Sequence, residues 1–134
     1  ENIIYIDDYA HHPQELKAAI VSIKALYPDK KLTAIFQPHL YSRTRDFANE
    51  FAESLSLADD VILLDIYPAR EEPIEGVSSQ IIFDKIKSSK KQLIVKSELL
   101  DMIAKMHPEM VVSFGAGDID KLVPQIKEIL KGNL

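Results

Sequence analysis

Four short stretches gather the residues able to do ionic or acid–base chemistry. They are Asp7-Asp8-Tyr9-Ala10-His11-His12-Pro13, Gln37-Pro38-His39-Leu40-Tyr41-Ser42-Arg43-Thr44-Arg45-Asp46, Asp65-Ile66-Tyr67-Pro68-Ala69-Arg70-Glu71-Glu72-Pro73 and Phe114-Gly115-Ala116-Gly117-Asp118. Together they hold His11, His12 and His39 of the 4 histidines, with Arg43, Arg45 and Arg70. Guanidinium and imidazole groups beside helix starts, where backbone N–H groups point outward, suit a phosphate or carboxylate. An anionic substrate is the expectation.

Each stretch also has a purely structural reading. Asp7 and Asp8 fit a pair of carboxylates that holds a metal or the donors of a nucleotide, and equally a turn cap at a strand end. His11 and His12 are adjacent, so in extended chain they point opposite ways; one would cap the helix beginning at Pro13 while the other faces a crevice, and a dinuclear metal site is not expected. His39 is either a ligand-orienting or charge-stabilising group or a hydrogen-bonded loop histidine. Arg43 and Arg45, at a helix start, diverge by about 200°, so one faces ligand and the other a carboxylate such as Asp46. Gly115 and Gly117 permit close backbone approach, as ordinary turn glycines also do. The acidic stretch 71–76 is a substrate loop or a solvated excursion, and His107 is expected at the surface.

The elements that must position these loops follow from periodicity. Apolar runs at 3–6, 32–36, 61–66, 93–95 and 110–114 are rich in Ile, Val and Leu with little polar alternation, as in parallel strands covered on both faces. Between them Leu16, Ala19, Ile20 and Ile23, and then Phe47, Phe51 and Leu55, recur at helical spacing; Leu99, Leu100 and Ile103 make a shorter face, and Leu122, Ile126, Ile129 and Leu130 the last, ended by Gly132. Pro13 suits a first helical position. Pro124 requires its helix to start within the preceding turn, with Asp118 or Asp120 as candidate cap. The fold class is α/β: a three-layer α/β/α, Rossmann-like domain with a mainly parallel sheet of five or six strands, whose ligands bind beyond the strands' carboxyl ends. The chemistry-bearing stretches all lie at such ends.

Composition sets limits. The chain of 134 residues is 46% hydrophobic and has no cysteine, enough for one core without disulfides, and incompatible with a thiol nucleophile or a cysteine-ligated zinc. A net charge of -5 argues against a nucleic-acid surface. The one basic cluster, Lys85, Lys87, Lys90 and Lys91, reads as a solvated helix end. No run approaches the roughly 20 apolar residues that span a bilayer, so no membrane contact and a cytoplasmic location are expected. A strand following directly on Glu1 leads us to expect an excised domain of a larger protein.

The stretches "DDYAHHPQEL" at 7–16, "FQPHLYSRTRDF" at 36–47, "DIYPAREEPIEGVSS" at 65–79 and "FGAGDIDKL" at 114–122 resemble, in order and across the whole chain, the C-terminal domain of the Mur ligase family. The second and third narrow the resemblance to the branch that adds L-alanine to UDP-N-acetylmuramate and to its relative that reattaches recycled murein tripeptide. The resemblance implies an ATP-dependent amide ligase of three domains: a UDP-sugar-binding domain, a central ATPase domain and this one, residues 1–134. An acyl phosphate would form on the muramoyl carboxylate and be attacked by the amine. The chain has no G-x-x-x-x-G-K-[ST], so ATP and magnesium would be held mainly by the central domain, over which this one closes. Alone it would be inactive.

Residue by residue, the resemblance places Asp8, Tyr9 and His11 near ATP. His39 and Arg43 fall near the transferring phosphate and the amino acid, as the catalytic pair. Tyr67, Ala69, Glu71 and Gly115 would line the substrate pocket. Leu40 stands where many members carry arginine, which shifts the expected burden to Arg43, and Arg70 stands where small residues are common. The implied strand order is first, fifth, second, third, fourth, with an exposed edge where the family carries an extra strand before "DDYAHHP". A phosphoacceptor receiver domain is the more distant alternative, weakened because no lysine leaves the last strand.

Overall fold

The apolar runs and helical stripes resolve into alternating strands and helices. The structure, a computed structural model, describes residues 3–132. In chain order the elements are β1 (Ile4–Asp8), α1 (Pro13–Leu26), β2 (Leu32–Phe36), α2 (Tyr41–Leu55), β3 (Asp60–Leu63), α3 (Gln80–Phe83), β4 (Lys91–Leu93), α4 (Leu99–Met106), β5 (Met110–Phe114) and α5 (Val123–Leu130), with 3-10 turns at Lys96–Glu98 and Asp118–Leu122.

The five strands are parallel in the order β1-β5-β2-β3-β4, the order implied by the resemblance. Strand side chains alternate between two cores. Leu32, Ala34 and Phe36 meet α1, α2 and α3 on one face, where the Phe36 and Phe51 rings lie 5.0 Å apart. Ile35, Ile62 and Val111 meet Leu99, Ile103 and Ile126 on the other. Each such fully buried side chain is worth about 1.5–3 kcal/mol of transfer free energy. β1 lies at the edge, with Ile4 and Ile6 only partly buried.

Register matters most for the site. Asp8 is level with Phe114, Phe114 with Phe36, and Phe36 with Leu63. Four strands thus release their chains at one height, and the order reverses around β5, so the β1, β5 and β2 exits are neighbours.

Several sequence expectations change. β3 stops at Leu63, short of the expected 66: Leu64 stays buried and donates its N–H to the Phe36 carbonyl, 2.9 Å, and the chain runs on beside the β2 exit to an isolated parallel bridge between His39 and Tyr67. β4 comes earlier than expected, and Val95 is exposed. Phe47 is not on the buried stripe of α2. Its φ of −122° breaks the helix there, it is 39% exposed, and the stripe runs through Thr44, Ala48, Phe51 and Leu55 instead. Lys91 is no solvated lysine; its ammonium donates to the Phe83 and Ile86 carbonyls at 2.9 and 3.0 Å, capping the end of α3. α5 starts at Val123, so Pro124 sits in its first turn, but its N-cap is Leu122 and neither Asp118 nor Asp120 caps it. Pro13 opens α1 as expected, with His12 at the N-cap; the capping carboxylate is Glu15, which accepts from the N–H groups of His11 and His12 at 3.1 and 3.2 Å. Among the described residues no helix is long and apolar enough to cross a membrane.

Candidate functional site

The β1 exit divides its polar residues between two tasks. Asp7 accepts from Ser113 Oγ at 2.8 Å, and Ser113 meets the Tyr5 hydroxyl at 2.6 Å; burial pushes the Tyr5 phenol up to about 12. Asp7 is thereby tied into the β1–β5 packing. Asp8 accepts from the Ala10 N–H at 2.8 Å, a side-chain turn that sends the chain toward α1. His11 Nδ1 lies 3.0 Å from the Tyr9 carbonyl; an acceptor-only oxygen there requires Nδ1–H, which fixes the direction of the ring. Tyr9 is 66% exposed. Asp8, Tyr9, His11 and Glu15 border an open cleft of about 490 Å³ along α1.

His39, at the β2 exit, is the meeting point. Its ring lies 5.9 Å from that of His11 and is stacked on Tyr67 at 5.8 Å with 17° between planes. Arg43 Nη1 is 3.1 Å from His39 Nδ1. Guanidinium only donates, so His39 Nδ1 accepts and the proton of the neutral ring is on Nε2. Burial first, and then the positive potentials of Arg43 and His11, hold His39 below its usual range, against an upward pull from Glu71. The result is an imidazole biased toward its neutral form, with the proton on Nε2, beside a cation.

The β2 and β3 exits are joined by main chain. Leu40 N–H donates to the Tyr67 carbonyl at 2.9 Å and Tyr67 N–H to the Pro38 carbonyl at 2.8 Å. Leu40 and Ala69 carry φ of 76° and 55°, the left-handed region that side chains seldom adopt. Glu71 returns to the start of α2: one oxygen accepts from the Tyr41 and Ser42 N–H groups at 2.5 and 3.1 Å, the other from the Ser42 hydroxyl. These bonds, that to the Ser42 hydroxyl foremost, hold the Glu71 carboxyl below the usual range.

The β5 exit is locked by a residue that the motif reading passed over. Gln37, only 4% exposed, donates to Asp118 Oδ1 at 2.6 Å and accepts from the Ile119 N–H at 3.0 Å. The other Asp118 oxygen takes Lys96, from the β4 exit. Burial works to raise the Asp118 carboxyl, and the hydrogen bonds from Lys96 and Gln37 overcome it, so it lies below the ordinary range. Gly115 is at φ 150° with Gln37 close above it, and a Cβ on Gly117 would meet the Tyr67 ring.

The structure thus brings His11, His39, Arg43, Tyr67 and Glu71 together, with Gly115 and Gly117 packed beside them. Asp8 serves its own turn, Tyr9 reaches outward, and Ala69 contributes its backbone. Arg45 pairs with Asp46 at 2.9 Å in solvent, so Arg43 is the arginine that meets the histidine. Gln37 had a signal, a polar residue directly after a fully buried strand. Lys96 had the same kind of signal, a charged residue directly after the apolar run 93–95, but the motif reading did not include that strand exit. A larger groove of about 640 Å³ lies along α1 and α2 with a mixed-charge rim that includes Lys17, Glu50, Glu53 and Lys87; it contains none of the converging residues.

Tested against a nucleotide with its metal, this edge is incomplete. Among the described residues no three carboxylates or imidazoles converge on one point. The glycine turn that would cradle a phosphate is occupied by Gln37 and Tyr67. What the edge does offer is one cation and two imidazole edges for an anion presented from outside.

Comparison with known proteins shows the family and the fold. A family profile described as "Mur ligase, glutamate ligase domain" matches residues 1–118. The chain is 62% identical over 130 residues to a UDP-N-acetylmuramate–L-alanine ligase of Parabacteroides distasonis, covering 97% of this chain and 28% of that protein. It is 55% identical over 131 residues to the ligase of the same name from Phocaeicola vulgatus, covering 97% and 29%. The chain therefore spans under a third of the length of these relatives. A murein peptide ligase from Psychrobacter arcticus superposes with a TM-score of 0.76 at 20% identity, over 98% of this chain and 28% of that one, a likeness of fold. The receiver-domain alternative falls with this match, and the chain belongs to the Mur ligase, glutamate ligase domain family.

Proposed function

We propose that this chain is the C-terminal closing domain of an ATP-dependent amide ligase that joins L-alanine to UDP-N-acetylmuramate. The observation that carries the reading is the convergence of three strand exits on His39 and Arg43 at the carboxyl edge of the sheet. In this reading ATP supplies the phosphoryl group that activates the muramoyl carboxylate, held with magnesium by another domain of the full-length protein. Identity of 62% and 55% to ligases named for L-alanine supports that amine over a peptide.

The residues here do the remaining work. Arg43, fixed in direction by His39, meets negative charge on the phosphate or on the alanine carboxylate. His39 presents its Nε2–H to the same anion without adding a second positive charge beside Arg43. Tyr67 and Gly117 fix the floor of the loop. His11, Tyr9 and Asp8 form the flank toward the nucleotide. Docking this edge on the ATP-binding domain excludes water from the activated carboxyl.

Phosphate release tests the reading. The full-length protein is expected to release phosphate only with ATP, UDP-N-acetylmuramate and L-alanine all present, and residues 1–134 alone to match a buffer blank. Turnover by the isolated chain, or turnover with murein tripeptide in preference to L-alanine, overturns it.

A further inference from the structure

Glu71 reaches from the β3 exit to the first turn of α2, where one oxygen covers two of the orphan backbone donors of a helix start and the other takes the Ser42 hydroxyl. Nothing in α2 itself does this: its N-cap is Leu40, which has no polar side chain and stands at φ 76°. Glu71 is one end of a latch whose other parts are the two main-chain bonds between 38–40 and 67 and the stack of His39 on Tyr67. On the helix side of the latch, one position beyond Ser42, Arg43 reaches back to His39.

From this geometry we infer that Glu71 is a positioning residue, which places Arg43 against His39 by holding the first turn of α2, and that it does not itself contact the substrate. Three hydrogen bonds from residues 41 and 42 engage both carboxylate oxygens and turn the group toward the start of α2, as a helix cap rather than as a substrate contact. Without it, the Tyr41 and Ser42 N–H groups lose their acceptor, no side chain at the Leu40 N-cap replaces it, and the first turn of α2 frays. Arg43 then swings away from His39 although neither residue has changed.

The groups facing His39 make the inference testable without activity. They are Arg43 from α2, His11 from the β1 exit, and Tyr67 and Glu71 from the β3 exit. Loss of the Glu71 charge alone would lower the His39 pKa, since that charge pulls it up; departure of Arg43 would raise it. The two effects have opposite signs.

In the full-length ligase with labelled histidines, assigned with His39→Gln, NMR titration should show His39 moving up in Glu71→Ala. In Glu71→Gln, whose amide oxygen still covers the Tyr41 and Ser42 N–H groups, it should stay or move down. A downward or absent shift in Glu71→Ala overturns the inference. The kinetic arm rests on the function proposed above. Glu71→Ala should lower kcat/KM about tenfold to a hundredfold through kcat, with Glu71→Gln recovering most of it. In an Arg43→Ala background the further loss from Glu71→Ala should be within about twofold, since the residue acts through Arg43. Losses that multiply, or a rise in the KM for L-alanine with kcat unchanged, would mean that Glu71 touches substrate. Should the wild-type ligase show no turnover with L-alanine, the function reading fails, and the His39 titration still decides the role of Glu71.

Discussion

The ring of Tyr67 lies directly on the backbone of Gly117, so that a Cβ added there would stand 2.5 Å from Tyr67 Cγ and 2.6 Å from Gln37 Oε1. Gly117 has an ordinary extended φ of −103°, so the requirement for glycine is one of space. Gly117→Ala is expected to displace Tyr67 and, with it, the stacked His39. Stability should fall by about 1–3 kcal/mol, as for overpacking, and, on the function proposed above, kcat/KM of the full-length protein should fall with it. Denaturant midpoints and steady-state rates check this; an alanine variant with native stability and rate would show that the contact relaxes freely.

Gln37 predicts a cost from lost hydrogen bonds rather than from a cavity. Gln37→Leu removes the acceptor of the Ile119 N–H and a donor to Asp118, leaving a buried N–H unpaired. The expected loss is about 1–3 kcal/mol, with weakened hydrogen-exchange protection at Ile119. Unchanged exchange at that amide would refute the assignment.

Arg43 and Arg45 separate by partner. On the function proposed above, Arg43→Ala in the full-length protein should lower kcat/KM about tenfold to over a hundredfold, the scale of one lost charge-assisted hydrogen bond. Arg45, which bonds Asp46 in solvent and feels Glu71 only as a more distant charge, should leave rate and melting temperature near wild type when replaced by alanine. The reverse ranking would mean that the wrong arginine has been placed in the site.

His39 makes stability depend on pH with a definite sign. Its folded pKa lies below the unfolded 6.5, so the unfolded chain takes up the proton first, and the neutral ring's contribution is full above that value. That contribution is lost as pH falls from 6.5 toward the folded pKa. Unfolding free energies at pH 7.5 and 5.5 should therefore differ more for wild type than for His39→Gln; equal slopes would count against a depressed His39.

Two phenylalanines of one helix test the α2 kink. Phe51→Ala removes a fully buried ring packed on Phe36 and should cost about 3–5 kcal/mol. Phe47→Ala, at a partly exposed position outside the helical stripe, should cost about 0.5 kcal/mol or less. Equal costs would place Phe47 in the core.

The sequence alone determined the layers and the loops. Continuous apolar runs at 32–36 and 110–114 mark strands covered on both faces, and both strands have those bounds, because burial on two sides leaves no room for polar alternation. The residues that follow each run belong to the carboxyl edge by chain direction alone. Periodicity failed where local geometry overrode it: Phe47 has helical spacing but sits at a break, and Val95 extends an apolar run whose pairing with β3 has already ended at Leu93. What only the tertiary structure decided was partnership between loops distant in sequence. That Glu71 caps a helix 29 residues earlier, or that Gln37 holds a turn 81 residues later, depends on strands of level register bringing four exits to one height. No local spacing encodes such a pairing, because the distance is closed by the sheet rather than by the chain.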